Sequence, residues 1–206
     1  MKRTLLAIMM LFGMAAIAEA QIVVTSTTAS TKHIGVVNSG RTEGFVIRPD
    51  LEIGTGDDAV FALFLHGTLG YQFNPFFFAG GGFGWDYDFS GKAAVPLFVN
   101  FRAYFNDKKW SPFFDLKLGY NMPTATEDSY YSLIETRHYQ MAGLRASGTL
   151  GMQYHSFDFG LTFVTYNCHI DYDLKDDLDY TTHYYSEKYH AYAVLLNIAY
   201  NFQFKK

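Results

Sequence analysis

Charged side chains recur at every second position inside stretches that are otherwise apolar. Arg48, Asp50 and Glu52 form one such row, Asp115 and Lys117 another, and Arg102 and Arg145 stand alone in theirs. A period of two puts such residues on one face of a strand. If the strands around 102 and 115 are joined by a tight turn, Arg102 faces Asp115. Across the next connection Asp115 can face Arg145, with Lys117 nearby. The same kind of pairing brings Arg48 near His66, with Asp50 and Glu52 on the Arg48 face. A row of this kind could select ions or hold a substrate. The simpler reading is structural, because charges taken out of water must be paired. We therefore expect an interior charge ladder of Arg102, Asp115, Arg145, Lys117, Arg48 and His66.

Three other sets could do chemistry. His66, His155-Ser156, His169 and Ser186 supply the residue types of a hydrolase or acyltransferase, but a triad is defined by geometry and no third member is placed by spacing. We expect no catalytic residue. The run His169-x-Asp171-x-Asp173-x-x-Asp176-Asp177-x-Asp179 offers oxygen ligands for a divalent cation. It departs from the calcium-loop pattern, since Lys175 takes a ligand position and Asp176 replaces the required glycine. It reads as a solvated acidic loop, and we expect no bound metal and no cofactor. The third set is tyrosine: Tyr130, Tyr131, Tyr172, Tyr180, Tyr184, Tyr185 and Tyr189 crowd the last two polar stretches. Tyrosine gives contact area at low entropic cost and suits recognition loops; the alternative is an aromatic girdle extended upward.

The elements that must position these groups are strands. From Phe61 to Phe89 two long alternating arms meet at Phe73-Asn74-Pro75-Phe76. Phe61, Leu63, Leu65, Leu69, Tyr71 and Phe73 share one face; Ala62, Phe64, His66, Thr68 and Gln72 share the other. The returning arm sets Phe77, Ala79, Phe83, Trp85 and Tyr87 against Gly80, Gly82, Gly84, Asp86 and Asp88. Six more strands are expected at Glu43 to Gly54, Ala94 to Asn106, Ser111 to Asn121, Tyr139 to Gln153, Phe157 to Cys168 and Tyr189 to Phe204. Pro49 lacks a ladder donor and belongs at an edge or irregularity. The turns after strands two, four and six are tight, and the longest connections are Met122 to His138 and His169 to Lys188. Short and long connections alternate as in antiparallel strands that cross a membrane.

Composition narrows the class. Charged residues make up 17% of the 206 and aromatics 18%, against a usual charged share of about 25%. Lys2 and Arg3, an apolar stretch from Leu5 to Ile17, and Ala18-Glu19-Ala20 read as a cleaved secretory signal over 1–20. A loosely ordered leader over 21–40 follows, able to add one further hairpin and make ten strands. The mature chain loses Lys2, Arg3 and Glu19, leaving 14 basic and 19 acidic residues, net −5. That balance gives nucleic acid no basic patch. Cys168 is the only cysteine, so the exported chain folds without an internal disulfide.

A soluble barrel would turn its oily face inward; a membrane barrel inverts it. The other face carries mid-strand charge and many glycines, which fit the narrow interior of eight strands. Aromatics gather at strand ends with aliphatics between them, matching two lipid interfaces. The fold expected over 41–206 is all-β, an eight-stranded antiparallel up-and-down transmembrane barrel.

The stretch GYQFNPFFFAGGGFGW, with RPDLEIG before it, resembles the small outer-membrane β-barrel proteins of the porin-like family common in Bacteroidota. More loosely it is similar to eight-stranded barrels of the OmpX and OmpA transmembrane type. The terminal Tyr200-x-Phe202-x-Phe204 resembles the signal read by the outer-membrane insertion machinery, although Lys205 and Lys206 follow the last aromatic. The resemblance implies a bacterial outer-membrane location, with outer-membrane lipid, lipopolysaccharide and that machinery as partners. The expected role is structural or surface interaction, with an extracellular ligand met through external loops. A narrow channel or small-solute transporter is the alternative, and a lipid-modifying enzyme the second.

Overall fold

The computed structural model describes residues 40–56, 60–130, 135–175 and 182–205, with the strand tips at 127–130, 135–136, 173–175 and 182–184 and residue 205 described by backbone alone. The expected signal segment and all but the last residue of the leader lie outside these residues. The described chain folds into nine strands: β1 (Gly44–Gly56), β2 (Phe61–Asn74), β3 (Phe77–Asp88), β4 (Ala93–Tyr104), β5 (Trp110–Tyr130), β6 (Glu135–Tyr154), β7 (Phe157–Lys175), β8 (Thr182–Tyr200) and β9 (Phe202–Lys205). Each pairs antiparallel with the next through β8. β1 pairs with β2 on one side and with β8 and β9 on the other, which closes the sheet into a barrel of eight staves.

β9 lies in line with β8. Asp50 faces Ala199 and Ile47 faces Phe202, so the register along β1 is unchanged across the break. The break falls where Pro49 has no N–H to give. The backbone N–H of Asn201 turns instead to the carbonyl of Ser156, 2.8 Å away. The last expected strand, Tyr189 to Phe204, is thus one line interrupted at Asn201, and Pro49 sits at the irregularity its chemistry demands.

Tight connections hold one end. Asn74 Oδ1 accepts the N–H groups of Phe76 and Phe77 at 2.8 and 3.0 Å, which fixes the Pro75-Phe76 turn. His155 takes a left-handed backbone, φ 54°, in the two-residue turn to β7. At the other end the strand boundaries correct the sequence reading. β5 and β6 continue to Tyr130 and from Glu135, and β7 and β8 continue to Lys175 and from Thr182. Most of the expected loops at Met122 to His138 and His169 to Lys188 are therefore paired strand. These segments are polar on both faces, which hides alternation, but Thr, Tyr and Ile favour a pleated ladder once a neighbour is in place. β5 to β8 run 19–21 residues against 12–14 for β1 to β4. Half of the wall consequently rises roughly 20 Å above the other half. A line of bulges, between Asn121 and Thr126 on β5 and between Met141 and Arg145 on β6, marks where the tall part begins. Gly143 lies on that line with φ +117°, a backbone that a side chain would strain.

The barrel is polar inside and oily outside. Leu144, Phe83 and Leu196 are 69%, 65% and 65% exposed, whereas Arg48 and Glu52 are fully buried. Aromatic residues ring both ends of the outer surface. Phe73, Phe77, Trp110, Phe157, Phe202 and Phe204 lie at the tight-turn end, and Phe61, Trp85, Phe89, Tyr120 and Tyr192 near the tall end. Trp85 and Tyr87 stack with centroids 5.3 Å apart.

Candidate functional site: the filled lumen and the tall hairpins

The alternation along each strand aims the charges inward, and register decides which of them meet. β4 and β5 set Arg102 directly opposite Asp115. Arg102 Nε donates to Asp115 Oδ2 at 2.6 Å, and its Nη1 donates to Asp158 on β7. Its guanidinium lies over the Phe113 ring, 4.0 Å from the centroid. Arg48, from across the barrel, donates to the same Asp115 oxygen at 3.0 Å and also to Asn100. Asn100 in turn donates to the other Asp115 oxygen. One carboxylate thus anchors two arginines and an amide.

A second cluster lies on the tall side of the first. Lys117 Nζ donates to Asp50 Oδ2 at 2.7 Å and Glu52 Oε1 at 2.9 Å, and lies 3.1 Å from His66 Nδ1. His66 Nε2 stands 2.8 Å from Asp86 Oδ1. Arg145 donates to Asp86, lies 3.2 Å from His66 Nε2, and crosses the Phe64 ring at 5.2 Å. Asn197 on β8 adds a 3.2 Å bond to Glu52.

The expected ladder is therefore split. Arg102 and Asp115 meet, but Arg145 does not reach Asp115. On β6 the residue opposite Asp115 is Thr149, while Arg145 faces Gly119, four residues further toward the tall end. Arg48 and His66 likewise belong to different clusters: His66 faces Asp50, and Arg48 faces Thr68. The inward glycines expected to fit a narrow interior make room for Phe98. A Cβ on Gly82 would lie 2.7 Å from the Phe98 ring, whereas Phe64 packs higher up.

Two layers escaped the sequence reading. Beneath the charges, Arg41 enters the tight-turn end. It donates to the Pro75 carbonyl at 2.9 Å, to Ser111 Oγ at 3.0 Å, and to Gln153 and the Asn106 carbonyl. It also covers the Tyr104 ring at 4.0 Å. No periodicity marks it, because it precedes β1. Beside it a cavity of about 440 Å³ is lined by Gln72, Gln153, Asn201, Gln203 and neighbours. Above the charges, Phe64, Met141, Val164, Tyr166, Cys168 and Leu195 fill the lumen with alanines between them. Every one of these is 5% exposed or less.

Beyond this apolar layer the tall wall stands free. β8 from Thr182 to Ala191 has no strand partner on its β1 side among the described residues. Its inward-turned rows pair Cys168 with Tyr189, Ile170 with Glu187 and Tyr172 with Tyr185. Tyr172 donates to Glu187 at 3.2 Å, and Arg137 lies over its ring at 5.2 Å. Burial, then the neighbouring Glu187, pushes the Tyr172 phenol up, and burial, then Cys168, does the same for Tyr189. Both stay neutral in ordinary media. Tyr185 is exposed. Tyr130 and Tyr184 lie on strand backbone rather than in loops, and Tyr131 and Tyr180 fall outside the described residues. So does the acidic run from Asp176 to Asp179.

The residues with catalytic potential are spread out. His66 is sealed in the lumen, and His155-Ser156 forms a tight-end turn. Ser186 faces Asp171, whose other neighbour is His138, while His169 faces Lys188. A carboxylate therefore stands between serine and that imidazole, where a triad needs the imidazole in the middle.

No family model matches the chain, and no curated protein does. Among solved structures it is similar to the N-terminal β-barrel domain of Pseudomonas aeruginosa OprF, at 12% identity and TM-score 0.46, over 78% of this chain and 98% of that one. It is also similar to the outer membrane protein AlkL in lipid bilayers, at 8% identity and TM-score 0.45, over 86% and 99%. A de novo designed transmembrane β-barrel gives 13% and 0.41, over 79% and 98%.

Proposed function

We propose that the chain is an integral outer-membrane β-barrel protein whose closed barrel is a support and whose tall hairpins are the working part, meeting a partner at the cell surface. The supporting observation is a filled lumen beneath a wall of paired strands that rises past it. Ion pairs and then an apolar layer occupy the interior, while β5 to β8 carry tyrosines well past the rim. A membrane setting follows from the polarity: an outer surface of leucine, phenylalanine and valine with aromatic rings at both ends suits hydrocarbon bounded by two interfaces. Twelve residues at about 3.3 Å, tilted about 40–45°, span roughly 28 Å. Closure leaves no unpaired backbone in lipid. The tight-turn end, with Gly40 and Phe204 beside it, then lies in the periplasm, with lipopolysaccharide around the tall end. Export by a cleaved signal, recognition of the Tyr200-x-Phe202-x-Phe204 end by the insertion machinery, and membership of the porin-like family of Bacteroidota belong to the same reading. So does the absence of an enzymatic role.

Replacing 172–185 by a two-residue turn tests the surface role. The variant should still form the heat-modifiable band of a folded barrel, and cells displaying it should lose attachment that the intact chain confers. Equal attachment by both would contradict the proposal.

A further inference from the structure

The Lys117 ammonium sits where a metal ion would. One ligand atom each from Asp50, Glu52 and His66 lies within 4.8 Å of the others, and all three side chains are buried. A carboxylate pair with one imidazole is a familiar donor set for divalent transition metals. Lys117 Nζ lies 2.7, 2.9 and 3.1 Å from these residues. Metal bonds of about 2.0–2.2 Å would need the donors to draw in by under about 1 Å each.

Two independent observations point to a cation site. Glu52 Oε2 and Asn197 Oδ1 are buried there and accept no hydrogen bond, Glu52 Oε2 having only Arg145 Nη2 at 3.9 Å, while Asp50 Oδ1 stands 3.2 Å from His66 Nδ1, so oxygen donors remain beyond those the ammonium uses. The charge balance agrees. Arg48, Arg102, Lys117 and Arg145 face Asp50, Glu52, Asp86, Asp115 and Asp158 in the same interior. Arg41 reaches the same lumen beside Asp158, so five cations stand opposite five carboxylates, and removing Lys117 would leave one carboxylate charge uncompensated.

We propose that Asp50, Glu52 and His66 form a three-ligand site for a divalent transition metal in which the tethered Lys117 ammonium is the resident cation. The interior is thereby neutralised without an ion from outside, and exchange of Lys117 for a neutral side chain converts the barrel into a metal binder.

The test uses the full mature chain refolded in vesicles, with Co²⁺ and Zn²⁺ as probes. Lys117→Met should bind Co²⁺ saturably at one ion per barrel, with a ligand-field absorption band that Zn²⁺ abolishes. Adding His66→Gln should remove the band. The unaltered chain and Lys117→Arg, which keeps a cation in place, should show none. Should Lys117→Met refold poorly, its yield of heat-modifiable barrel should rise when Zn²⁺ is present during refolding. Folded Lys117→Met without the band, equal refolding with and without Zn²⁺ where folding fails, or an equal band in the unaltered chain would each overturn the proposal.

Discussion

Two layers of one lumen solve the same burial problem in opposite ways. In the lower layer Arg48, Arg102 and Asp115 are almost fully buried and held by charged or amide partners. In the upper layer Phe64, Met141, Val164 and Leu195 are as deeply buried with apolar neighbours. One barrel wall encloses both, with a bulge in β6 between Met141 and Arg145. The contrast teaches that an eight-stranded interior needs filling rather than wetness: polar chains suffice if each is paired, and apolar chains suffice if they interlock. The charged layer fixes which strands face one another through directional bonds, and the apolar layer closes the space above.

That comparison can be broken at several points. Asp115→Ala leaves Arg102 and Arg48 without their shared carboxylate, and it should cost the most, about 3–5 kcal/mol, as expected when one partner of a buried pair is lost. Denaturant unfolding from vesicles measures it; a loss no greater than that of a surface variant would show the lower layer to be solvated. Leu195→Ala removes packing without stranding a charge and should cost about 2–5 kcal/mol, below Asp115→Ala in the same assay. Leu196→Arg moves one position along β8 to the outer surface. It should cost about 2–4 kcal/mol in a bilayer, as for a charge near mid-membrane, and a neutral result would place that surface in water. Tyr185→Ala, out on the tall wall, should stay within about 0.5 kcal/mol. A larger loss would tie the wall to barrel stability and weaken its assignment to recognition.

The same contrast explains what could be read in advance. The charged layer was legible because Arg48, Asp50 and Glu52 alternate sharply with Phe45, Ile47 and Leu51, so face and period are unmistakable. Arg102 opposite Asp115 followed from a tight turn. Arg145 was misplaced because the next connection is long, and its length says nothing about register. The apolar layer was hidden because β8 reads Ala191-Tyr192-Ala193-Val194-Leu195-Leu196, apolar on both faces, and alternation carries no contrast there. The upper hairpins were hidden for the opposite reason: Thr126, Gln140, His169 and Lys188 are polar on both faces, so a paired strand looks like a loop. Arg41 lies before the first strand and enters its site by reach alone.

Sealing of the lumen by these two layers, beneath a wall left free for contact, is the claim on which the rest depends. Single-channel recording in planar bilayers, on barrels shown by heat-modifiability to be folded and inserted, tests it most directly. Sealed barrels give a flat trace at either polarity, with no steps above the bare membrane. Discrete, reproducible openings that scale with the amount of inserted protein would contradict it and return the charged layer to the role of a pore lining.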